Sequence, residues 1–523
     1  MRSAGGTWPR QRIVALALLL ASCLAVLYVV QARPVIGVLR QYHYPYRPEA
    51  RWDAFPALCL LAVPAAVAMA LSLRRRVPTW QVWGLVALLT VGGLMLRSGT
   101  AALPKHFPGI ELSWRFLWKN TEGAYAGEVR AARPVGPFLA AYARRIGAGS
   151  QATSFHRVHL DTHPPGLILG FAALEALYDT FPRAAQATRR WALRTMPSVA
   201  VLERRGAFAV RHPVAVSMAA AHLAIVVASL APLVAFLAAR QFWPTGQALA
   251  AAGLVAVLPG THLFNPSVDQ AYPTLTLVLC GLAARAVATR RARWGVAFGV
   301  ALYVAASIHV GFALVAAIIA LAAVLAWRSQ ESPQSVAQAL HTWWKPVAGA
   351  LLAFLTIAAV LHVGAGYPTF RVVALCLRNN RVFYEAAGRT WWPWVAVMPL
   401  EFAVSLGFPL AIAATAGFAV ELAGAVRRRT LRGASALLLA SCGALVVLDV
   451  TGAALGETAR LWLFLTPLLV LGVVEAVWRH AAEPRRVLAY VFAALLLQAL
   501  VFSVVLDCGR TSTFIVRHLL GVT

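Results

Sequence analysis

The chain has 523 residues, of which 60% are hydrophobic and only 13% are charged, and its mean hydropathy is +0.70. This composition is far outside the range of soluble globular domains and indicates an integral membrane protein. The formal net charge is +28, but the basic residues stand in short clusters between apolar stretches, which argues against nucleic acid as a partner.

Apolar stretches long enough to cross a bilayer recur along almost the whole chain. The first begins at Ile13 and is longer than the core of a secretory signal, so we interpret it as an uncleaved span. We therefore expect one all-α, membrane-embedded domain over residues 1–523, a helix bundle of about 13 to 14 membrane segments. The candidate spans are 13–31, 54–73, 79–97, 164–178, 213–239, 246–264, 268–288, 294–309, 310–327, 346–363, 394–422, 433–453, 460–478 and 486–506.

Basic clusters at 74–76, 427–432 and 478–486 mark the cytoplasmic side, because short Lys/Arg-rich loops resist translocation. Three loops then fall on the opposite, extracytoplasmic face: 98–163, 364–393 and 454–459. Fourteen full crossings would place two basic clusters on different sides, so one segment fails to cross. Either the helix after His163 is re-entrant, being only about 15 residues long, or residues 294–327 form one helix broken around His309 and Gly311.

The loop 98–163 is too long for a simple connection, so we expect it to carry function. Residues 120–133 and 135–146 place apolar residues three or four apart, which predicts amphipathic helices along the membrane surface. If the first is helical, Glu122 and Glu128 flank Tyr125 on one side. A carboxylate placed there is either a general base for an acceptor hydroxyl or a solvated surface charge.

Further along the same loop, His156, His159, Asp161 and His163 lie close together in sequence. They have spacings that suit two or three ligands of a zinc-like metal, or they form a hydrogen-bonded polar cluster at a helix start. The two prolines that follow fit the first turn of a helix, where a missing N–H costs nothing. Its positive dipole end, with His163, would then point into the loop, where an anion can sit.

Later segments contribute further polar residues beside the apolar spans. Glu457 and Arg460 immediately precede a span, where Arg460 either snorkels to the interface or contacts a phosphate. Arg381 is one of four arginines between residues 367 and 394 that are interleaved with aromatic residues. Asp269 stands at the start of a span after a proline, as a helix cap or a pathway residue. His309, within an apolar segment, is interpreted as a packing residue.

These motifs, taken in order, resemble the GT-C superfamily of polytopic glycosyltransferases, in particular its protein O-mannosyltransferase and aminoarabinose transferase branch. The sequence TEGAY keeps the glutamate and tyrosine of that branch's acidic motif, as Glu122 and Tyr125, but has Thr121 in place of the aspartate. The sequence THPPG at 162–166 matches its Pro-Pro motif. The resemblance covers the first half of the chain in motif order and the rest as a many-span architecture.

The resemblance implies a GT-C-like bundle with a large extracytoplasmic catalytic loop in the plasma (inner) membrane. It implies inverting transfer of a sugar from a polyprenyl-phosphate sugar to a glycan, lipid or protein acceptor at the extracytoplasmic face. Glu122 is the first candidate for the base, Asp161 the second and Glu128 the third. His163 is expected to orient the substrates and Arg460 to contact the phosphate. The other expected substrate-binding residues are Tyr125, His159, Asp269, Arg381 and Glu457.

Neither a cofactor nor a metal is required by this resemblance, although a divalent metal at the histidine cluster stays an alternative. A second alternative is a polytopic transporter or lipid flippase without catalytic chemistry. Such a protein is expected to carry ionisable sites near the bilayer midplane and often internal repeats, whereas these ionisable residues concentrate in loops at one face.

Overall fold

The computed structural model describes residues 8–39, 41–44, 46–47, 50–74, 77–103, 116, 123–148, 160–196, 199, 203, 210–328, 336–428 and 433–508. Almost every element is helical, which confirms the all-α prediction. The first helices are α1 Trp8–Ala32, α2 Phe55–Ser72, α3 Thr79–Ala101, α4 Gly123–Gly127, α5 Val135–Ala148, α6 Gly166–Thr180, α7 Pro182–Thr195, α8 Pro213–Ser229, α9 Ala231–Ala239, α10 Thr245–Ala256 and α11 Gly260–Leu263.

The second half continues in the same way. Its helices are α12 Tyr272–Thr289, α13 Ala292–Ile308, α14 Phe312–Arg328, α15 Val336–Ala365, α16 Thr369–Ala386, α17 Trp391–Leu406, α18 Phe408–Arg428, α19 Gly433–Thr451, α20 Thr458–Leu461, α21 Thr466–His480 and α22 Pro484–Val505. Three short 3-10 turns, Trp52–Ala54, Val268–Ala271 and Leu463–Leu465, precede helices α2, α12 and α21. One antiparallel hairpin, β1 Ile36–Val38 with β2 Tyr42–Tyr44, departs from the helical pattern.

Ten of the helical segments are long and apolar enough to cross a membrane, and three shorter ones are also apolar, within the described ranges. The three are Leu19–Ala32, Ala292–Ile308 and Phe312–Arg328. The ten long spans confirm a multi-pass membrane bundle. Of the predicted spans, 394–422 is divided at Gly407 into α17 and α18, of which Phe408–Arg427 is long and apolar enough to cross. The most deeply placed segment is Thr245–Leu263, with 94% of its apolar window buried. Its run of alanines allows neighbouring helices to approach closely.

The two explanations for the span count concern helix α6 and the pair of helices α13 and α14. Helices α13 and α14 end and begin on either side of residues 309–311, so the predicted break around His309 and Gly311 is present. Helix α6, after His163, has only 15 residues and is not one of the ten long spans within the described ranges. A side chain added at its first residue, Gly166, would meet Ser307 at the end of α13, and Asp179 near its last turn lies 3.5 Å from His212, just before α8. The two ends of α6 therefore lie beside the end of α13 and the start of α8.

The loop 98–163 contains helices, as expected, although one of them is shorter than the sequence pattern indicated. Helix α5 buries Phe138, Leu139, Tyr142 and Ile146 along one face and exposes the other, which confirms the amphipathic prediction for 135–146. The first predicted helix, over 120–133, was wrong in length. Its described part is helical only over Gly123–Gly127 and continues in turns, because most of the following backbone hydrogen bonds join residues three apart.

Two glycines one helical turn apart allow α13 to pack directly on α15. A Cβ atom added at Gly295 would lie 1.9 Å from the carbonyl oxygen of Pro346, and one at Gly299 would lie 2.2 Å from that of Ala350. Both distances are far inside van der Waals contact, so no side chain fits at either position. This small-xxx-small contact brings the C-terminal end of α13 to its place beside the loops.

We expect Gly299→Ala to destabilise the protein by about 1 to 3 kcal/mol, because the new methyl group would collide with rigid backbone. The matched control is Gly443→Ala in α19, where an added Cβ meets nothing within 4 Å. The measurement is the apparent Tm of the purified protein in detergent. Equal Tm values for the two variants would show that the close helix contact does not support the fold.

Candidate functional site

Residues from four distant parts of the chain meet at one end of the bundle. His163 precedes α6, Asp269 lies at the start of the α12 segment, His309 separates α13 from α14, and Arg460 lies in the short helix α20 before α21. The ring centroids of His163 and His309 are 5.5 Å apart, and the carboxylate of Asp269 interacts electrostatically with both histidines and with Arg460. Three residues that the sequence singled out separately therefore form one site, and a fourth joins them.

The centre of this site is an ion pair between the Arg460 guanidinium and the Asp269 carboxylate. Arg460 Nη1 lies 3.0 Å from Asp269 Oδ2, and the two side chains are 18% and 10% exposed. Asp269 is held by a 3-10 turn at the start of its span, in which the Ser267 hydroxyl accepts a hydrogen bond from the Asp269 N–H. At such low exposure each charge stabilises the other, because burying either one without a partner costs free energy.

Glu457 provides a second carboxylate for the same guanidinium. Its Oε2 accepts a hydrogen bond from Arg460 Nη2 at 2.7 Å, while its Oε1 lies 3.4 Å from Nη2 of the buried Arg389. Four charges thus alternate in sign, in the order Asp269, Arg460, Glu457 and Arg389. The row is electrically neutral, and Arg460 is its partly exposed cation.

Aromatic rings enclose the two histidines and direct them towards the ion pair. Tyr125 contacts His163 with ring centroids 5.9 Å apart. Tyr272 contacts His309 at 5.1 Å, and Phe464 contacts it at 5.7 Å. The Tyr272 phenol also interacts with the Asp269 carboxylate. These rings limit the directions from which water reaches the charged groups, which strengthens electrostatic interactions inside the site.

The Pro-Pro stretch starts a helix, as predicted. Helix α6 begins at Gly166, directly after Pro165, and Leu169 N–H donates to the Pro165 carbonyl. His163 therefore stands just before the helix start. It is held there by Thr162, whose hydroxyl is hydrogen-bonded to His163 Nδ1 at 3.0 Å, and by the Tyr142 hydroxyl, which donates to the His163 carbonyl at 2.8 Å.

Asp161 is buried beside His163 but on the side of helices α5 and α16. Its side chain interacts electrostatically with Tyr142 and Cys376, and its carbonyl accepts a hydrogen bond from Asn379 at 3.0 Å. Only 7% of the residue is exposed. Asp161 therefore supports the turn that carries His163, and it approaches the site from a different side than Asp269.

Two other candidate residues have partners of their own. Glu128 is paired with Arg145, one helix further along the loop. Arg381 lies on the exposed face of α16, with a side chain that is 84% exposed, and pairs with Glu385 at 3.1 Å. Glu122, His156 and His159 lie outside the described residues. Within the part of the chain that the structure describes, no three His, Cys, Asp or Glu side chains group as metal ligands do.

The sequence interpretation missed three members of the site. His309 was assigned to helix packing, although the sequence already indicated a helix break around His309 and Gly311. Arg389 was one of four similar arginines, and only its burial, with 2% of the side chain exposed, distinguishes it. Tyr272 carried no signal beyond its position three residues after Asp269.

His309 is held in its neutral form. Its Nδ1 accepts a hydrogen bond from the Gly311 N–H at 3.1 Å, which requires that nitrogen to be unprotonated. Burial lowers the pKa of His309 to about 4, and the positive charge of Arg460 acts in the same direction, against the opposing effect of Asp269. A neutral imidazole leaves Arg460 as the centre of positive charge beside Asp269 at neutral pH.

This lowered pKa predicts that stability falls on acidification. The unfolded chain binds a proton at His309 near pH 6.5 and the folded protein only near pH 4, so stability is present above the higher value and is lost as the pH falls towards the lower. The apparent Tm of the wild type should therefore fall between pH 7 and pH 5. His309→Asn keeps an acceptor for the Gly311 N–H and cannot be protonated, so a fall of equal size in this variant would disprove the assignment.

No protein-family profile matches the sequence, and no curated protein matches it either. Among solved structures, the chain is similar to the crystal structure of the Archaeoglobus fulgidus oligosaccharyltransferase in complex with Zn and sulfate. The two share 11% sequence identity with a TM-score of 0.35. The alignment covers 65% of this chain and 44% of that one, so this chain spans less than half of the archaeal protein's length.

Proposed function

We propose that the protein is a membrane glycosyltransferase of the GT-C kind. It transfers a sugar, with inversion, from a polyprenyl-phosphate sugar to a glycan, lipid or protein acceptor. The observation that carries this proposal is the convergence of Arg460, Asp269, His163 and His309 on one site at the ends of the apolar helices. A lipid-linked phosphate requires a site at the membrane border, because its apolar chain is stable in the bilayer and its charged phosphate is stable only outside the hydrocarbon.

Arg460 supplies the contact to the donor phosphate. A guanidinium presents two parallel N–H groups that match the geometry of phosphate oxygens. Asp269 and Glu457 hold it at a fixed position while 18% of its side chain stays exposed. When the sugar leaves, negative charge builds on the phosphate, and a pre-positioned cation stabilises that charge without having to reorganise.

His163 and Tyr125 orient the substrates. His163 stands at the start of α6 and faces Tyr125, His309 and Asp269. The free N–H groups of the first helical turn and the helix dipole favour an anion on that side. The donor phosphate therefore lies between Arg460 and the start of α6, with the sugar towards the loop 98–163.

Glu122 is the proposed base that takes the proton from the acceptor hydroxyl. It is the residue before Gly123 in the chain, and α4, which starts at Gly123, carries the Tyr125 ring that contacts His163. Asp161 is the second candidate, since it lies two residues from His163. Glu128 is the third, and its pairing with Arg145 lowers its availability as a base. No cofactor is required for this chemistry, which needs a base, an orienting site and a cation.

The test is transfer of labelled sugar from polyprenyl-phosphate sugars in membranes that contain equal amounts of each variant. We expect Glu122→Gln to lower kcat by about 100- to 10,000-fold, the usual contribution of a general base. Asp161→Asn should act more weakly, and Arg460→Met should raise the KM for the donor. Asp53→Asn, a change at an exposed carboxylate that pairs with Arg51, is the control and should transfer normally.

Each pattern of results has a definite meaning. If Asp161→Asn abolishes transfer and Glu122→Gln does not, the base is Asp161. If the wild type transfers sugar from none of the donors, the glycosyltransferase proposal is wrong, and a transporter or lipid flippase becomes the preferred function.

The site is proposed to face the extracytoplasmic side of the plasma membrane. Two exposed positions are changed to cysteine. Glu385→Cys is in α16, four residues before Arg389 of the site. Arg486→Cys is near the start of α22, at the other end of the bundle. A membrane-impermeant maleimide should label the first in intact cells and the second only after permeabilisation. The native cysteines within the described residues are buried or half-buried. The reverse labelling pattern would place the site in the cytoplasm.

A further inference from the structure

Arg389 occupies an aromatic cage beside the proposed phosphate site. Its side chain is only 2% exposed, and the centre of its guanidinium lies between 5.1 and 5.8 Å from four ring centroids. Cation–π attraction is strongest when the cation is removed from water, as it is here. The cage is formed by Tyr42, Phe383, Tyr384 and Trp394.

Polar contacts fix the direction of this guanidinium. Arg389 Nη1 donates to the carbonyl of Leu455 at 2.5 Å, and Nη2 lies 3.4 Å from Glu457 Oε1. Both contacts go to the loop that carries Glu457. The rings take up the faces of the guanidinium, so its charge is directed at a single carboxylate and is not available to a ligand.

The backbone of this loop is shaped so that Glu457 stands between two arginines. Gly456 has a φ of 91° and Glu457 has a φ of 60°, a left-handed conformation that a residue with a side chain seldom adopts. A side chain at Gly456 would lie within 2.9 Å of Trp394 and Arg389. On the other side of Glu457, the N–H and hydroxyl of Thr458 both donate to Glu401 at 2.9 Å. Contacts of the residues before and after Glu457 therefore hold this residue in its unfavourable left-handed conformation.

We propose that Arg389 is a positioning residue that retains the Glu457 carboxylate when an anionic ligand takes Arg460. The inference rests on the proposed function in taking the ligand to be a lipid-linked phosphate. Glu457 and a phosphate compete for the same guanidinium, because Glu457 Oε2 lies 2.7 Å from Arg460 Nη2. Arg389 is a second cation beside Glu457. When the phosphate replaces the carboxylate on Arg460, Glu457 therefore stays paired, and the loss of free energy is small.

The difference in exposure between the two arginines supports this division of roles. Arg460 is 18% exposed and can be reached by a ligand, whereas Arg389 is 2% exposed and enclosed. Without the charge of Arg389, Glu457 would hold Arg460 more tightly and would repel an approaching phosphate. Removing the charge of Glu457 as well should then release Arg460 again.

The experiment compares the full-length wild type with Arg389→Met and with the double variant Arg389→Met/Glu457→Gln. Methionine fills the aromatic cage without a charge. The first readout is the rate at which the dicarbonyl reagent phenylglyoxal modifies Arg460, followed by peptide mass spectrometry. The second is the Kd for polyprenyl phosphate. Arg47→Met, which removes another mostly buried arginine that faces a carboxylate, Asp507 at 3.9 Å, is the matched control.

We expect Arg389→Met to slow the modification of Arg460 and to weaken polyprenyl phosphate binding about tenfold, which corresponds to ~1.4 kcal/mol. The double variant should recover most of both losses, and Arg47→Met should show neither. A double variant no better than Arg389→Met alone would overturn the inference, because a purely structural loss is not repaired by a second substitution.

The two proposals fail in different ways. The modification of Arg460 needs no substrate, so an unchanged rate in Arg389→Met contradicts the inference whatever the enzyme transfers. Conversely, a wild type that transfers no sugar contradicts the proposed function, while a slowed and then restored modification of Arg460 still supports the role of Arg389.

Discussion

The guanidinium of Arg460, held between Asp269 and Glu457, is the interaction on which the site depends. It joins the start of one span to the loop before another, and the two carboxylates lie almost 190 positions apart in the chain. In water such pairs contribute little, but at low exposure each partner is needed to offset the desolvation of the other. The pairing therefore fixes the relative position of these two segments as well as the local charge.

The surroundings of the ion pair determine what it can do. Two histidines and several aromatic rings form a wall beside it, and burial keeps His309 neutral. Arg389 behind the pair balances Glu457, so the four charges sum to zero before any ligand arrives. A neutral site with one partly exposed cation suits the proposed donor, whose single phosphodiester carries less charge to neutralise than the diphosphate of a nucleotide sugar.

Much of the fold could be predicted from local patterns. Span length and hydropathy predicted an all-α, multi-pass membrane bundle, and the two prolines predicted the start of α6. The patterns failed where length alone was ambiguous. The apolar stretch after His163 has the composition of a span but forms a helix of only 15 residues, and the helix around Tyr125 ends after five residues.

The sequence by itself determined that this is a multi-pass membrane protein, where most of its long helices lie, and several residues of the candidate site, including His163, Asp269 and Arg460. These properties follow from composition and short-range spacing. The tertiary structure alone decided which of those residues meet, and it added His309 and Arg389. The physical reason is that these contacts join segments far apart in the chain, so their positions depend on how whole helices pack, as at the glycines of α13, and not on sequence neighbours.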